Sequence, residues 1–223
     1  MSSELTRDGL TKAVFPVLDR FRPSAVPARL DGKRILDLLL GITLLLIAAP
    51  VMALVSLAIV LESKGPILFC QKRTGQNGRT FPIFKFRSMY VVERGADVRQ
   101  AVAGDARITK IGKILRKLSL DELPQLFNVI AGQMSLVGPR PHAVLHDEFY
   151  GAAIPAYVVR QQVKPGITGW AQVNGSRGAT PTIEDMRQRV DLDVWYVAHH
   201  SVALDLKILV RTPMAVLSTR NAH

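Results

Sequence analysis

The sequence predicts a helix-rich α+β protein of the monotopic membrane kind, with a proline-broken re-entrant helix and interfacial amphipathic helices. Three observations predict it. An uncharged apolar run, Leu38 to Leu61, carries Pro50 at its centre. Lys and Arg flank that run on both sides. Downstream, strand-period and helix-period segments alternate with Pro/Gly turns.

The organisation follows in order: an N-terminal tail (1–30), the re-entrant helix (31–63) and a membrane-resting domain (64–223). The tail holds Pro16, Pro23 and Pro27 among scattered charges. With 223 residues, 48% hydrophobic and 21% charged, the chain is long enough to bury a core and is neither disordered nor fibrous. Its one cysteine, Cys70, excludes an intramolecular disulfide framework. The net charge is +11, and Lys64 to Lys117 alone carries thirteen Lys/Arg against three acids, a local +10. Such a segment calls for an anionic partner: nucleic acid, acidic lipid or a phosphorylated substrate.

The apolar run has 24 residues. As a straight helix it would rise about 36 Å, enough to cross a hydrocarbon core of about 30 Å. It starts too far from Met1 for a cleavable signal peptide. Pro50 removes a backbone donor and clashes with the Leu46 carbonyl. Arg29, Lys33 and Arg34 precede the run, and Lys64, Lys72 and Arg73 follow it. Both ends therefore ask for the cytoplasmic side, which a helix bent at Pro50 satisfies. A single span with a proline kink is the alternative.

Phe84-Lys85-Phe86-Arg87 alternates apolar and cationic residues, so Lys85 and Arg87 share one face of a strand, as a phosphate site or a solvated face would. Ile108, Ile111, Leu115 and Leu118 recur at helical spacing with Lys110, Lys113, Arg116 and Lys117 on the other faces, a basic amphipathic helix suited to anionic lipid. Next comes Ser119-Leu120-Asp121-Glu122. Locally this pattern favours a capping box, Ser119 with Glu122. Functionally, two carboxylates where Lys and Arg converge suit phosphoryl chemistry: one attacks while the other holds a divalent metal.

Gly138-Pro139-Arg140-Pro141 is a stiff turn presenting Arg140, and Lys164-Pro165-Gly166 suits a type II turn. Trp170 reads as packing more readily than as a base-stacking platform. His142 and His146 share a helix face but form only a weak metal signal. Ser201 to Leu217 is either interfacial or a buried helix. Neither a P-loop nor a dinucleotide-binding glycine motif occurs, and no nucleic-acid motif accompanies the basic segment.

These segments, in this order, resemble the bacterial polyprenyl-phosphate sugar-1-phosphate transferases, the monotopic phosphoglycosyl transferases. The likeness rests on KFRSM (85–89), RKLSLDELPQLFNVIAGQMSLVGPRPH (116–142), KPGITGWAQVNG (164–175) and DVWYV followed by LDLKIL, and runs from about Lys33 to Thr212. PRPHAVLHDE and SRGATPTIEDM look most like the catalytic part of undecaprenyl-phosphate glucose phosphotransferases, without the further N-terminal parts those proteins usually carry.

The resemblance implies that a UDP-sugar, carrying a hexose such as glucose or galactose, gives its sugar-1-phosphate to undecaprenyl phosphate and releases UMP, which initiates exopolysaccharide or O-antigen synthesis. It implies Asp121 as nucleophile, forming a covalent phosphosugar intermediate, and Glu122 as the Mg²⁺ ligand. Lys85, Arg87, Arg116 and Arg140 fall on motifs lining the phosphate site. Many relatives have Asn-Gly-Arg, whereas here Ser176 intervenes and Arg177 is left for the nucleotide. The implied place is the cytoplasmic face of the bacterial inner membrane, against anionic lipids; a homodimer is compatible with it, and nucleic acid is not a partner. Where many relatives have Ser before the membrane proline, this chain has Ala49, so the carbonyl freed by the kink must find water, Thr43 or another segment. The rival reading is a non-catalytic basic protein that binds membrane surfaces or nucleic acid.

Overall fold

The computed structural model describes residues 31–90 and 105–217; the predicted tail, residues 1–30, lies outside them. Helix α1 runs Gly32–Glu62, opened by the Asp31 side chain accepting from the Arg34 amide at 2.8 Å. It is the one helix among the described residues long and apolar enough to cross a membrane. Leu46, Ile47 and Leu54 are 70%, 68% and 68% exposed. Leaving such side chains in water forgoes about 1.5–3 kcal/mol each, so this helix is made for an apolar surrounding.

Its inward stripe is regular. Arg34, Asp37, Gly41, Val55 and Ile59 are buried, and Leu45 and Met52 pack partly against the core between them. At about 100° per residue, Pro50 falls on the opposite face. The proline ring on that outer face meets no packed neighbour on the domain's side, and the helix runs without interruption from Gly32 to Glu62. Thr43 Oγ1 donates to the Leu39 carbonyl at 2.8 Å, so its hydroxyl is not directed at Leu46.

Both ends of α1 are tied down. At the start, Lys33 donates to the Val137 carbonyl at 3.0 Å and to Asp205 at 2.5 Å, while Arg34 reaches the Val129 and Ile130 carbonyls at 2.6 and 2.8 Å. At the far end, Arg87 donates to the Ser63 and Lys64 carbonyls at 2.6 and 2.9 Å, and the Glu62 carboxylate accepts from the Ile111 amide at 3.1 Å.

The remaining strands and α-helices among the described residues are β1 (Leu68–Thr74), β2 (Thr80–Phe86), α2 (Lys110–Lys117), α3 (Gln125–Ile130), β3 (Ser135–Val137), α4 (Val144–Ala153), β4 (Gly166–Thr168), α5 (Trp170–Val173), α6 (Ile183–His199) and α7 (Val202–Leu217), with 3-10 turns at Gln76–Gly78, Leu120–Glu122 and Pro155–Gln162. β1 and β2 form an antiparallel hairpin with Leu68 opposite Phe86, and β3 pairs in parallel with β4, Ser135 opposite Gly166. Phe81 and Ile83 of β2, Leu126 and Val129 of α3, Leu136, Tyr196 and Ile208 make the main core. Asn128 fastens α3 beneath β2, accepting from the Phe84 amide at 3.0 Å and donating to the Pro82 carbonyl at 2.7 Å.

Two local expectations are corrected. Gly166 is not the left-handed residue of a type II turn, being absent from the positive-φ glycines and lying in β4. It is glycine because a Cβ there would come 2.1 Å from the Gly138 nitrogen. The Ser119–Glu122 capping box does not form: Ser119 has φ 55°, and its side chain makes no cap bond.

Helix α2 begins at Thr109, whose hydroxyl accepts from the Gly112 amide at 2.8 Å, and buries Leu115 while Ile114 and Leu118 face outward. On α7, Val202, Leu206, Val210, Met214 and Leu217 form one exposed apolar stripe, and Asp205 and Ile208 are buried on the other side.

Candidate active site

The acidic pair occupies a single 3-10 turn, Leu120–Glu122, entered through Ser119 in the left-handed region. For a non-glycine residue that conformation costs about 1–2 kcal/mol. The turn sits under the end of β2, so Lys85 leans over it and donates to Glu122 Oε1 at 2.8 Å. From the other side Arg140, held between two prolines, donates to both oxygens of the same carboxylate, Nη1 reaching Oε2 at 3.0 Å. This is the bidentate fork geometry that makes Arg–carboxylate pairs strong.

Asp121 and Glu122 are adjacent, yet their environments part them. Burial pushes the Asp121 carboxyl up, the neighbouring Glu122 charge adds to it, and Lys85, Arg116 and Arg140 recover only part, leaving it at about 6. Burial alone would raise Glu122 too, but the Arg140 and Lys85 charges and their hydrogen bonds outweigh it and hold this carboxyl well below the usual range. Two carboxyls driven apart in this way can take different roles.

Of the residues expected here, Lys85, Arg140, Asp121 and Glu122 come together, with Arg116 one turn upstream contributing positive field. Arg177 stands at the rim, donating to Ser119 Oγ at 2.5 Å. Arg87 stands apart from the acidic pair: it is buried, and its guanidinium donates to the Ser63 and Lys64 carbonyls just past the end of α1. The reason is positional, since Lys85 is the last outward cation within β2 whereas Arg87 lies past the strand's end.

A layer behind Arg140 escaped the sequence reading. Arg160 donates to the Arg140 carbonyl at 2.7 Å and pairs with buried Asp193 at 2.8 Å. His142 Nδ1 lies 2.6 Å from the Tyr157 hydroxyl and 2.7 Å from Arg160. Burial first, then the Arg160 charge, hold His142 well below its ordinary value, so it stays neutral. His146 meets the edge of the Tyr150 ring, the centroids 6.2 Å apart, and lies on α4, whereas His142 precedes that helix, so the two do not share a helix face. Arg160 and Asp193 stand 33 positions apart with no shared motif, so no local signal could have joined them. Trp170 packs as a stack, its ring 4.6 Å from Trp195.

A profile of the bacterial sugar transferases matches residues 28–219. The chain belongs to the bacterial sugar transferase family. It is 52% identical over 191 residues to a Caulobacter vibrioides protein named UDP-glucose:undecaprenyl-phosphate glucose-1-phosphate transferase, covering 86% of this chain and 72% of that one. An Escherichia coli protein of the same name is 50% identical over 180 residues, covering 81% of this chain and 39% of that one. A Rhizobium leguminosarum exopolysaccharide production protein is 41% identical over 190 residues, covering 83% of this chain and 95% of its own length. The chain thus spans well under half of the Escherichia coli protein but nearly all of the Rhizobium protein.

Proposed function

We propose that this sugar transferase moves glucose-1-phosphate from UDP-glucose to undecaprenyl phosphate, with release of UMP, to initiate an exopolysaccharide. The donor and acceptor follow the names of relatives about half identical to it. The observation that carries the chemistry is the buried acidic pair gripped by Lys85 and Arg140, one carboxyl clamped as the ion and the other left without a partner bond of that kind.

In this reading an Asp121 carboxylate oxygen attacks the phosphorus that bears the sugar. The bond from that phosphorus to the UMP oxygen breaks, and UMP leaves with the electron pair. A phosphate oxygen of the lipid then attacks the same phosphorus, and the Asp121 carboxylate is released unchanged. Lys85, Arg116 and Arg140 offset the pyrophosphate charge and the charge developing in each transfer.

The carboxylate oxygens suit a hard divalent ion, though no cluster of three metal-binding His, Cys, Asp or Glu occurs among the described residues. Mg²⁺ is typically held by one or two carboxylates with substrate phosphates and water supplying the rest. Glu122 Oε2 accepts one hydrogen bond and keeps capacity for it, with Asp121 beside it. Mg²⁺ held there would neutralise pyrophosphate charge.

We place the site at the cytoplasmic face of the inner membrane, with α1 entering and leaving the same leaflet. What supports this is that both ends of α1 bind one domain while its outer face is apolar. The α7 stripe supports an interfacial seat on anionic lipid, where the lipid phosphate lies at headgroup depth.

The test is UMP release from purified protein with Mg²⁺, undecaprenyl phosphate and a panel of UDP-sugars. UDP-glucose should be the preferred donor, and Asp121→Asn should lower turnover by roughly 10³-fold or more with the fold retained. Full turnover by folded Asp121→Asn overturns the nucleophile, and preference for another sugar overturns the donor.

A further inference from the structure

Ser119 is one of two described non-glycine residues with positive φ, and it stands immediately before the turn carrying the acidic pair. Its carbonyl accepts the Glu122 amide at 3.2 Å, so the Ser119 conformation sets where that turn starts. Its hydroxyl accepts from Arg177 Nη2 at 2.5 Å. Arg177 Nη1 in turn donates to the Ala215 and Val216 carbonyls at 3.0 and 2.9 Å. Those carbonyls belong to the last turn of α7, where helical acceptors have no intrahelical partner. One guanidinium therefore bridges the end of α7 and the hinge of the acidic turn, a fork that a lysine cannot reproduce.

We infer that Arg177 and Ser119 are positioning residues, a link that holds the strained turn so that Asp121 faces the reacting phosphorus, with Arg177 braced on α7 rather than spent on the nucleotide. Strain at such positions persists only where surrounding contacts over-determine it. The hydroxyl at 119 and the guanidinium at 177 are each one half of a single device, so losing either half should loosen the turn. The inference rests on Asp121 being the nucleophile, and the test separates the two.

Four variants isolate the parts. Ser119→Gly keeps the left-handed backbone and loses the hydroxyl; Ser119→Asn tolerates that backbone and retains a side-chain acceptor. Arg177→Met removes the fork, and the double variant Ser119→Gly with Arg177→Met closes a cycle. Ser119→Gly and Arg177→Met should each lower kcat by about 10–100-fold, the order expected of a small misplacement at the chemistry. The KM for UDP-glucose should hold within about twofold, the double variant should be no worse than the poorer single one, and Ser119→Asn should recover most of kcat.

Hydrogen exchange in 119–123 gives a readout that needs no turnover: the Glu122 and Leu123 amides should lose protection in both single variants and regain it in Ser119→Asn. Additive losses, a raised KM for UDP-glucose in Arg177→Met, or unchanged protection would overturn the link. Absence of UMP release by the unaltered protein would overturn the transfer reading instead, and the exchange measurement would still decide the link.

Discussion

Arg140 grips both oxygens of Glu122, while Asp121, one residue earlier, is buried with its carboxyl raised to about 6. The same two cations that clamp Glu122 act on Asp121 only through space. Glu122 thus carries the fixed negative charge of the site, and Asp121 remains the acid whose ionisation is close to neutral pH.

The pH dependence follows. A carboxyl near 6 must be ionised to attack, so UMP release should fall below about pH 6 and level off above about pH 7. Folding should show the reverse sense. Between about pH 4 and pH 6 the folded state binds more protons at Asp121 than the unfolded chain, so this group's contribution to stability declines as pH rises through that window. Asp121→Asn should gain stability relative to the unaltered protein across the same window, measured by denaturant titration in detergent. A pH–rate profile flat from 5 to 8 would remove Asp121 as the titrating group.

Lys85 and Arg87 should separate experimentally despite standing two residues apart. Lys85→Met takes a cation from Glu122 and should reduce kcat about 10²-fold or more. Arg87→Met leaves the Ser63 and Lys64 carbonyls without their donor and should cost about 1.5–3 kcal/mol of stability, with an unaltered KM for UDP-glucose. Kinetics paired with thermal unfolding of both variants checks this; a donor KM raised by Arg87→Met would return that residue to the phosphate site.

Gly166→Ala should be severe. Its Cβ would lie 2.1 Å from the Gly138 nitrogen and 2.4 Å from the Thr168 carbonyl oxygen, both backbone atoms. Overpacking of this kind costs about 1–3 kcal/mol, and the strain falls on the turn that presents Arg140. Thermal unfolding should drop and UMP release should fall with it. By contrast Gly151→Ala, where nothing lies within 4 Å, should be silent in both.

The path of α1 can be read with cysteines at Gly32 and Glu62 in a Cys70→Ser background. An impermeant thiol reagent applied to inside-out vesicles should label both positions, and applied to intact spheroplasts neither. Replacing Pro50 with leucine restores a backbone donor and should shift part of the population toward a straight span. Labelling of the two unaltered-helix positions from opposite sides would overturn the re-entrant path.

Much of this protein was legible in one dimension because its signals are short-range. An uncharged run with a central proline, cations at both flanks, and a period of 3.6 or 2 are local properties of backbone geometry and water. The same holds for the Asp-Glu pair, and for Arg140 between its prolines, which mark themselves by composition within a few residues.

Tertiary structure decided which cation meets which acid. Arg87 looked like the companion of Lys85 until the end of α1 arrived to occupy it, and Ser119 looked like a cap until Arg177, 58 positions away, took its hydroxyl. Arg160 and Asp193 became the support of Arg140 only through packing of α6 against the Pro155–Gln162 turn. Periodicity assigns a side chain to a face of its own element. Only the packing of distant elements brings a donor within about 3 Å of an acceptor, and in a buried site that distance sets both charge and reactivity.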